Sequence, residues 1–291
     1  MSPESSPRRF LVGAATPLAD LPANATWFLD EHRDIELNDA VTPETLDSPD
    51  LQAAYAERAN TLLAGHTGRR GIHGPFMGMS IGSPDPAFQQ LVARRFIESI
   101  RFGATFGATH MVIHSPFHGW INPFLFAGKG SFIAPQIDWV RRTLDPVIPV
   151  AEEHGVTLAI ENIFDPSIAA LLQTVAAIDH PNVRLSLDVG HAQLQVPHGG
   201  MSPDQYVLEA GELLAHVHLQ DNDGLSDRHW ATGDGIIAFR AIFEALRQVN
   251  GDPRLIIELR NRADIPRSAA WLASLDVARQ ACLRRSMRHL G

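Results

Sequence analysis

Lysine is almost missing: of the 24 basic residues among 291, only Lys129 is a lysine. Positive charge nowhere forms a block, and the formal net charge is −9. The chain therefore lacks the basic stripe with which nucleic-acid and membrane-surface proteins neutralise phosphates. Cysteine is nearly missing as well. The single thiol, Cys282, lies in a helical pattern near the C-terminus; it excludes a disulfide within the chain and leaves any bound metal to nitrogen and oxygen ligands. No run reaches the roughly 18 apolar residues of a spanning helix, and MSPESSPRRF lacks the apolar centre of a signal peptide. The expectation is a cytoplasmic protein. At 45% hydrophobic and 20% charged residues, the composition suits a globular chain that buries a sizeable core.

What is present is a recurring unit: a short apolar, β-branched run, polar residues at its end, then an amphipathic stretch of helical length. The runs are FLVGA (10–14), DIEL (34–37), GIHGPF (71–76), HMVIH (110–114), TLAIEN (157–162), RLSLDVGH (184–191), AHVHL (215–219) and RLIIEL (254–259). Between the third and fourth, Phe88, Leu91, Val92, Phe96, Ile97 and Ile100 follow the spacing of a buried helix face. Gly107 closes that helix and Gly155 the next, which Pro146 and Pro149 must kink or divide. Eight strand–helix units in this length predict an α/β fold, a closed (β/α)₈ TIM barrel. G-x-G-x-x-G is missing after the first run, which argues against a dinucleotide-binding sheet. With no Pro-, Gly- or Ser-rich linker, residues 1–291 read as a single domain, 1–9 as an N-terminal extension and 266–291 as a C-terminal helical segment.

Barrel active sites lie at the carboxyl ends of the strands, and there the sequence concentrates metal-type side chains. His73, His114 and Glu161 end the third, fourth and fifth runs. Asp188 and His191 end the sixth, His218 the seventh and Glu258 the eighth. Strand alternation puts Val112 with His114, Ala159 with Glu161, and Ile256 with Glu258 on inward faces, the polar member always last. Several carboxylates facing one cavity repel one another, and a divalent cation resolves the conflict. His216 also faces inward, one layer below His218, and is expected either to support His218 or to hydrogen-bond a substrate. Asp221, Asn222, Asp223 and Gly224 have the composition of a turn.

GIHGPF, MVIHSPF, LAIENIF, LSLDVGHA, HVHLQDNDG with DRHWATGDG, and LIIELRN resemble, in order and spacing, the successive strand-end motifs of the xylose-isomerase-like barrel superfamily, over residues 10 to 265. That superfamily contains sugar phosphate isomerases and epimerases, ketose 3-epimerases, inosose dehydratases and endonuclease IV type DNA-repair enzymes. The resemblance implies that Glu161, Asp188, His218 and Glu258 hold one central divalent ion, Mn²⁺ or Zn²⁺ foremost, with Glu161 and Glu258 as the catalytic base and acid. It also matches His73, His114, His191, Asp227 and His229 to ligands of further ions, up to three in all, or else to groups that hydrogen-bond a polyol.

The loop NDAVTPETLDSPD after the second run carries Asp39, Glu44, Asp47 and Asp50 and no base, which disfavours DNA. After the fourth run, Phe117, Trp120, Phe124, Phe126 and Phe132 have the composition of an apolar lid over a small ligand. Of the few cations near the rim (Lys129, Arg228, Arg260, Arg262), Arg228 is expected to bind substrate, with Trp120. The expected function is a metal-dependent sugar or polyol isomerase or epimerase without a nucleic-acid or membrane partner, with a homo-oligomer allowed. A metal-dependent phosphodiesterase of endonuclease IV type and an inosose-dehydratase-like lyase are the alternatives.

Overall fold

Strands β1 (Gly13–Thr16), β2 (Ile35–Leu37), β3 (Arg70–His73), β4 (Ala108–His114), β5 (Thr157–Glu161), β6 (Val183–Asp188), β7 (Leu214–Leu219) and β8 (Arg254–Ile257) pair in parallel in chain order. Strand β8 returns to β1, through Gly13 opposite Ile256, and closes the barrel. This computed structural model describes residues 10–117 and 133–275. The eight apolar runs are these eight strands, with two informative shifts. The first strand begins at Gly13 rather than Phe10, because the Phe10 ring packs edge-on against Phe243 at 5.4 Å instead of joining the ladder. The sixth ends at Asp188, where the helix Val189–Gln195 starts at once.

Two faces of each strand have different tasks. Outward residues such as Ile35, Ile72, Met111, Ile160, Leu187 and Ile257 are buried against the surrounding helices in one continuous apolar layer. Each such side chain contributes about 1.5–3 kcal/mol relative to exposure. The inward face is different in kind: Glu36, His110, Ser186, His216 and His218 are all buried beside Ala15, Val112, Ala159 and Ile256. Room for so much polar bulk is made at Gly71, where an added Cβ would fall 1.8 Å from the His110 ring.

The helices follow their sequence signals. Pro86–Ala104 opens with Asp85 accepting a hydrogen bond from the Ala87 amide, buries Val92, Phe96 and Ile100, and is followed by Gly107 at φ +80°. The two prolines divide the next segment into Ile133–Leu144 and Ile148–Glu153. Residues 265–275 are helical; the rest of the C-terminal segment, with Cys282, and residues 1–9 lie outside the described residues. Among the described residues no helix is long and apolar enough to cross a membrane.

Candidate active site

Register brings the strand ends into one layer. His114 lies opposite Glu161, and Asp188 opposite His218; Glu258 extends β8 by one residue, its amide donating to the Leu219 carbonyl at 3.0 Å. The four side chains expected to hold the central ion therefore converge. His218 Nδ1 is 3.2 Å from Glu161 Oε1 and 3.7 Å from Glu258 Oε2, and donor atoms of Asp188, His218 and Glu258 lie within 4.8 Å of one another.

Each ligand is aimed by local structure. Asp188 caps the helix Val189–Gln195, with Oδ1 accepting the His191 amide at 2.8 Å. Its backbone is clamped by Asn162, whose Oδ1 accepts from the Asp188 amide at 2.8 Å and whose Nδ2 donates to the Asp188 carbonyl at 3.1 Å. Asp188 Oδ2 is left without a hydrogen bond among the described residues, and so is Glu161 Oε2, although both are buried. Burial raises the Asp188 pKa even though the charge of His191 opposes it. Burial also disfavours the Glu161 charge, but His218, with the imidazoles of His73 and His114 nearby, holds that carboxyl well below the usual range.

Two further donor groups flank this centre. His73 Nδ1 faces the Gly74 carbonyl at 2.8 Å, leaving Nε2 at 3.3 Å from His114 Nε2. Both Nε2 atoms are 3.7 Å from Glu161 Oε2. Burial pushes the His114 imidazole down to about 3, so it is neutral and can coordinate. On the other side Asp227 Oδ2 meets His229 Nε2 at 3.0 Å, and Asp227 Oδ1 is 3.7 Å from His191 Nε2. Burial opposes charge on His229, but Asp227 and the carboxylates of Glu258 and Asp188 outweigh it and lift the ring to about 9.

His229 adopts φ +49°, a left-handed backbone uncommon outside glycine. The loop that holds it there is built by residues read above as a plain turn. Asp221 is buried, bridges to Trp230, and accepts amide hydrogen bonds from Asn222, Gly233 and Ile237. Asn222 is buried too and donates to the Gly190 carbonyl, while its Oδ1 accepts the Gly224 amide as expected of a turn. Gln220 ties the loop to the centre, donating to Asp227 at 2.8 Å and to Asp188 at 3.3 Å and accepting the His229 amide. A Cβ at residue 190 would strike the Gln220 side chain, so Gly190 is what lets it lie there.

The substrate-contact expectations fare differently. His216 has no exposed surface, and its nitrogens face Ser186 Oγ at 2.8 Å and Glu36 at 3.1 Å, so it supports the barrel interior and leaves no face for substrate. Arg228 is held by Asp223 at 2.9 Å beside the Trp230 ring. Trp120 and the lid residues Phe124, Phe126 and Phe132 lie outside the described residues; Phe117 is buried. Of the acids after β2, Asp39 accepts from the Leu18 amide and the Tyr55 hydroxyl, and the charge of Asp47 is offset by Arg95. Sequence reasoning missed Glu36, Asn162 and Gln220. The last two each follow a ligand motif directly, in LAIEN and HVHLQ, and a polar residue beside a buried ligand was the available signal.

The protein is thus a closed parallel barrel with nitrogen and oxygen donors, in groups that could hold a metal ion, gathered at its carboxyl end. The chain belongs to the xylose isomerase-like TIM barrel family, whose profile matches residues 34–281. It is similar to an uncharacterised protein of Methanocaldococcus jannaschii, 25% identical over 206 residues, 68% of this chain and 66% of that one. Over 124 residues it is 24% identical to the fructoselysine 3-epimerase of Escherichia coli O157:H7, covering 40% of this chain and 44% of the other. The chain thus spans about two thirds of the first relative and under half of the second. A crystal structure of a D-tagatose 3-epimerase-like protein superimposes with a TM-score of 0.74 at 22% identity, over 94% of this chain and 100% of that one.

Proposed function

We propose that the protein is a divalent-metal-dependent isomerase or epimerase of a sugar or polyol, working by proton transfer beside a carbonyl. The observation that carries this reading is the meeting of Glu161 and Glu258 at His218 Nδ1 from two strands, with Asp188 beside them. The donor set fits a cation: three carboxylates and one imidazole suit Mn²⁺, Zn²⁺, Co²⁺ or Mg²⁺, and the buried Glu161 Oε2 and Asp188 Oδ2 have no hydrogen bond among the described residues. Glu161, Asp188, His218 and Glu258 would hold it. Once bound, the cation supplies Lewis acidity that polarises the substrate carbonyl and acidifies the adjacent C–H.

The chain's own residues do the rest. The Glu161 side chain is only 2% exposed and Glu258 17%, so Glu258 is the more open to a substrate proton and Glu161 the more shielded. One carboxylate removes a proton from carbon and the other returns one, which inverts a centre or moves the carbonyl. His73, His114, His191, Asp227 and His229 ring this pair and would hydrogen-bond the hydroxyls of a polyol. A relative named fructoselysine 3-epimerase and a structural neighbour named D-tagatose 3-epimerase-like support a sugar substrate. The test is turnover on a panel of ketoses and keto-inositols: activity should vanish on chelation, return with Mn²⁺ or Zn²⁺, and be lost in Asp188→Ala and His218→Ala. Conversion by chelated protein at the full rate would overturn the reading.

A second reading, phosphodiester hydrolysis, draws on the flanking groups His73–His114–Glu161 and His191–Asp227–His229, which would suit further ions. The rim argues against a duplex substrate, because Arg228 pairs with Asp223 while Arg260 and Arg262 donate to backbone carbonyls. Zn²⁺-dependent nicking of an abasic duplex, lost in Glu161→Gln, would reverse the order.

A further inference from the structure

Beneath the strand-end layer lies a carboxylate that the function above does not use. Glu36, at the middle of β2, has no exposed surface and faces three imidazoles. Its Oε2 is 3.0 Å from His110 Nε2 and 3.1 Å from His216 Nε2, and its Oε1 is 3.0 Å from His218 Nε2. His110 Nε2 and His218 Nε2 hydrogen-bond to this carboxylate, while His216 Nε2 lies beside it without a hydrogen bond, so Glu36 is already engaged by two imidazoles. His218 is common to both layers, with Nε2 toward Glu36 and Nδ1 toward Glu161 and Glu258. A carboxylate only accepts, and a neutral imidazole carries one N–H and one lone pair. Placing the N–H on Nε2 toward Glu36 puts the lone pair on Nδ1.

We propose that Glu36 is a positioning residue that fixes His218 in the Nε2–H tautomer and in the orientation that presents Nδ1 to the divalent cation. The proposal rests on the metal reading of the site. Glu36 touches no substrate; it acts through His218, as carboxylates behind metal-bound histidines commonly do. His110 hydrogen-bonds Oε2, with His216, braced by Ser186, packed beside it, which leaves Oε1 to His218.

Two measurements test it. In histidine ¹⁵N–¹H spectra of the Zn²⁺-loaded wild-type protein, His218 should show a protonated Nε2 and a zinc-shifted Nδ1; zinc on Nε2 would overturn the proposal without any variant having to fold. In Glu36→Gln, apparent Co²⁺ affinity should fall about 10–100-fold and the cobalt d–d spectrum should shift, whereas a purely structural role would lower stability and leave that spectrum unchanged. Affinity within twofold of wild type and an unaltered spectrum would overturn the role of Glu36 alone. Failure of the wild-type protein to take up either ion would instead bring down the metal reading, and this proposal with it.

Discussion

Asp188 divides its two oxygens, Oδ1 capping a helix and the buried Oδ2 left without a hydrogen bond among the described residues. Asp188→Asn keeps a good cap but lowers the charge, so it should lose bound metal with little loss of stability in chelator. Asp188→Ala removes both, and should also cost about 0.5–2 kcal/mol of unfolding free energy. Metal analysis together with urea unfolding separates the two. Asp165 makes the pH prediction. Burial raises its carboxyl to about 7 in spite of hydrogen bonds from the Ile163 amide and the Ser115 hydroxyl. A folded pKa above the unfolded value of about 3.9 stabilises the fold fully below pH 4, and the contribution fades as pH rises through 7, by up to about 1.4 kcal/mol per unit. Unfolding free energies at pH 5 and pH 7 should therefore converge on moving from wild type to Asp165→Asn; equal slopes in both proteins would contradict it. The ligand residues were legible because a buried strand that ends in His, Asp or Glu breaks an apolar pattern. Glu36 was not, because in DIEL β-strand alternation alone does not say whether Asp34 and Glu36 or Ile35 and Leu37 face the barrel interior.

Strands and loops differ in how plainly the sequence shows them. The eight strands emerge from β-branched runs because both faces are buried, and the divided helix follows from Pro146 and Pro149. The loop from Asp221 to Trp230 was misread in part, since Asp and Asn favour turns yet here serve as buried acceptors and donors that hold His229 at positive φ. Inside the barrel, close packing sets a further test. Gly71→Ala places a methyl into the His110 ring, and should destabilise by about 1–3 kcal/mol or more, the range for overpacked cores. In a His110→Ala background the same substitution should cost clearly less, as read by urea midpoints; an equal cost in both backgrounds would show that the two side chains do not compete for this space.

For the whole molecule, an ion held by Glu161, Asp188, His218 and Glu258 would tie together the ends of β5, β6, β7 and β8, four consecutive strands of the closed sheet. Ligand linkage gives about 2.7 kcal/mol at a hundredfold excess over Kd, so a chelator should lower the melting temperature by several degrees and excess Mn²⁺ or Zn²⁺ should restore it. The proton-transfer claim is tested most directly by solvent exchange. Incubated in heavy water with a converted ketose or keto-inositol, the protein should place deuterium on a substrate carbon only when metal is present. The rate should fall by roughly 10² or more in Glu161→Gln and in Glu258→Gln, the range lost with general acid–base catalysis, provided each variant retains its metal. Full conversion of substrate with no deuterium incorporated would contradict the account and replace proton transfer with a hydride shift between neighbouring carbons.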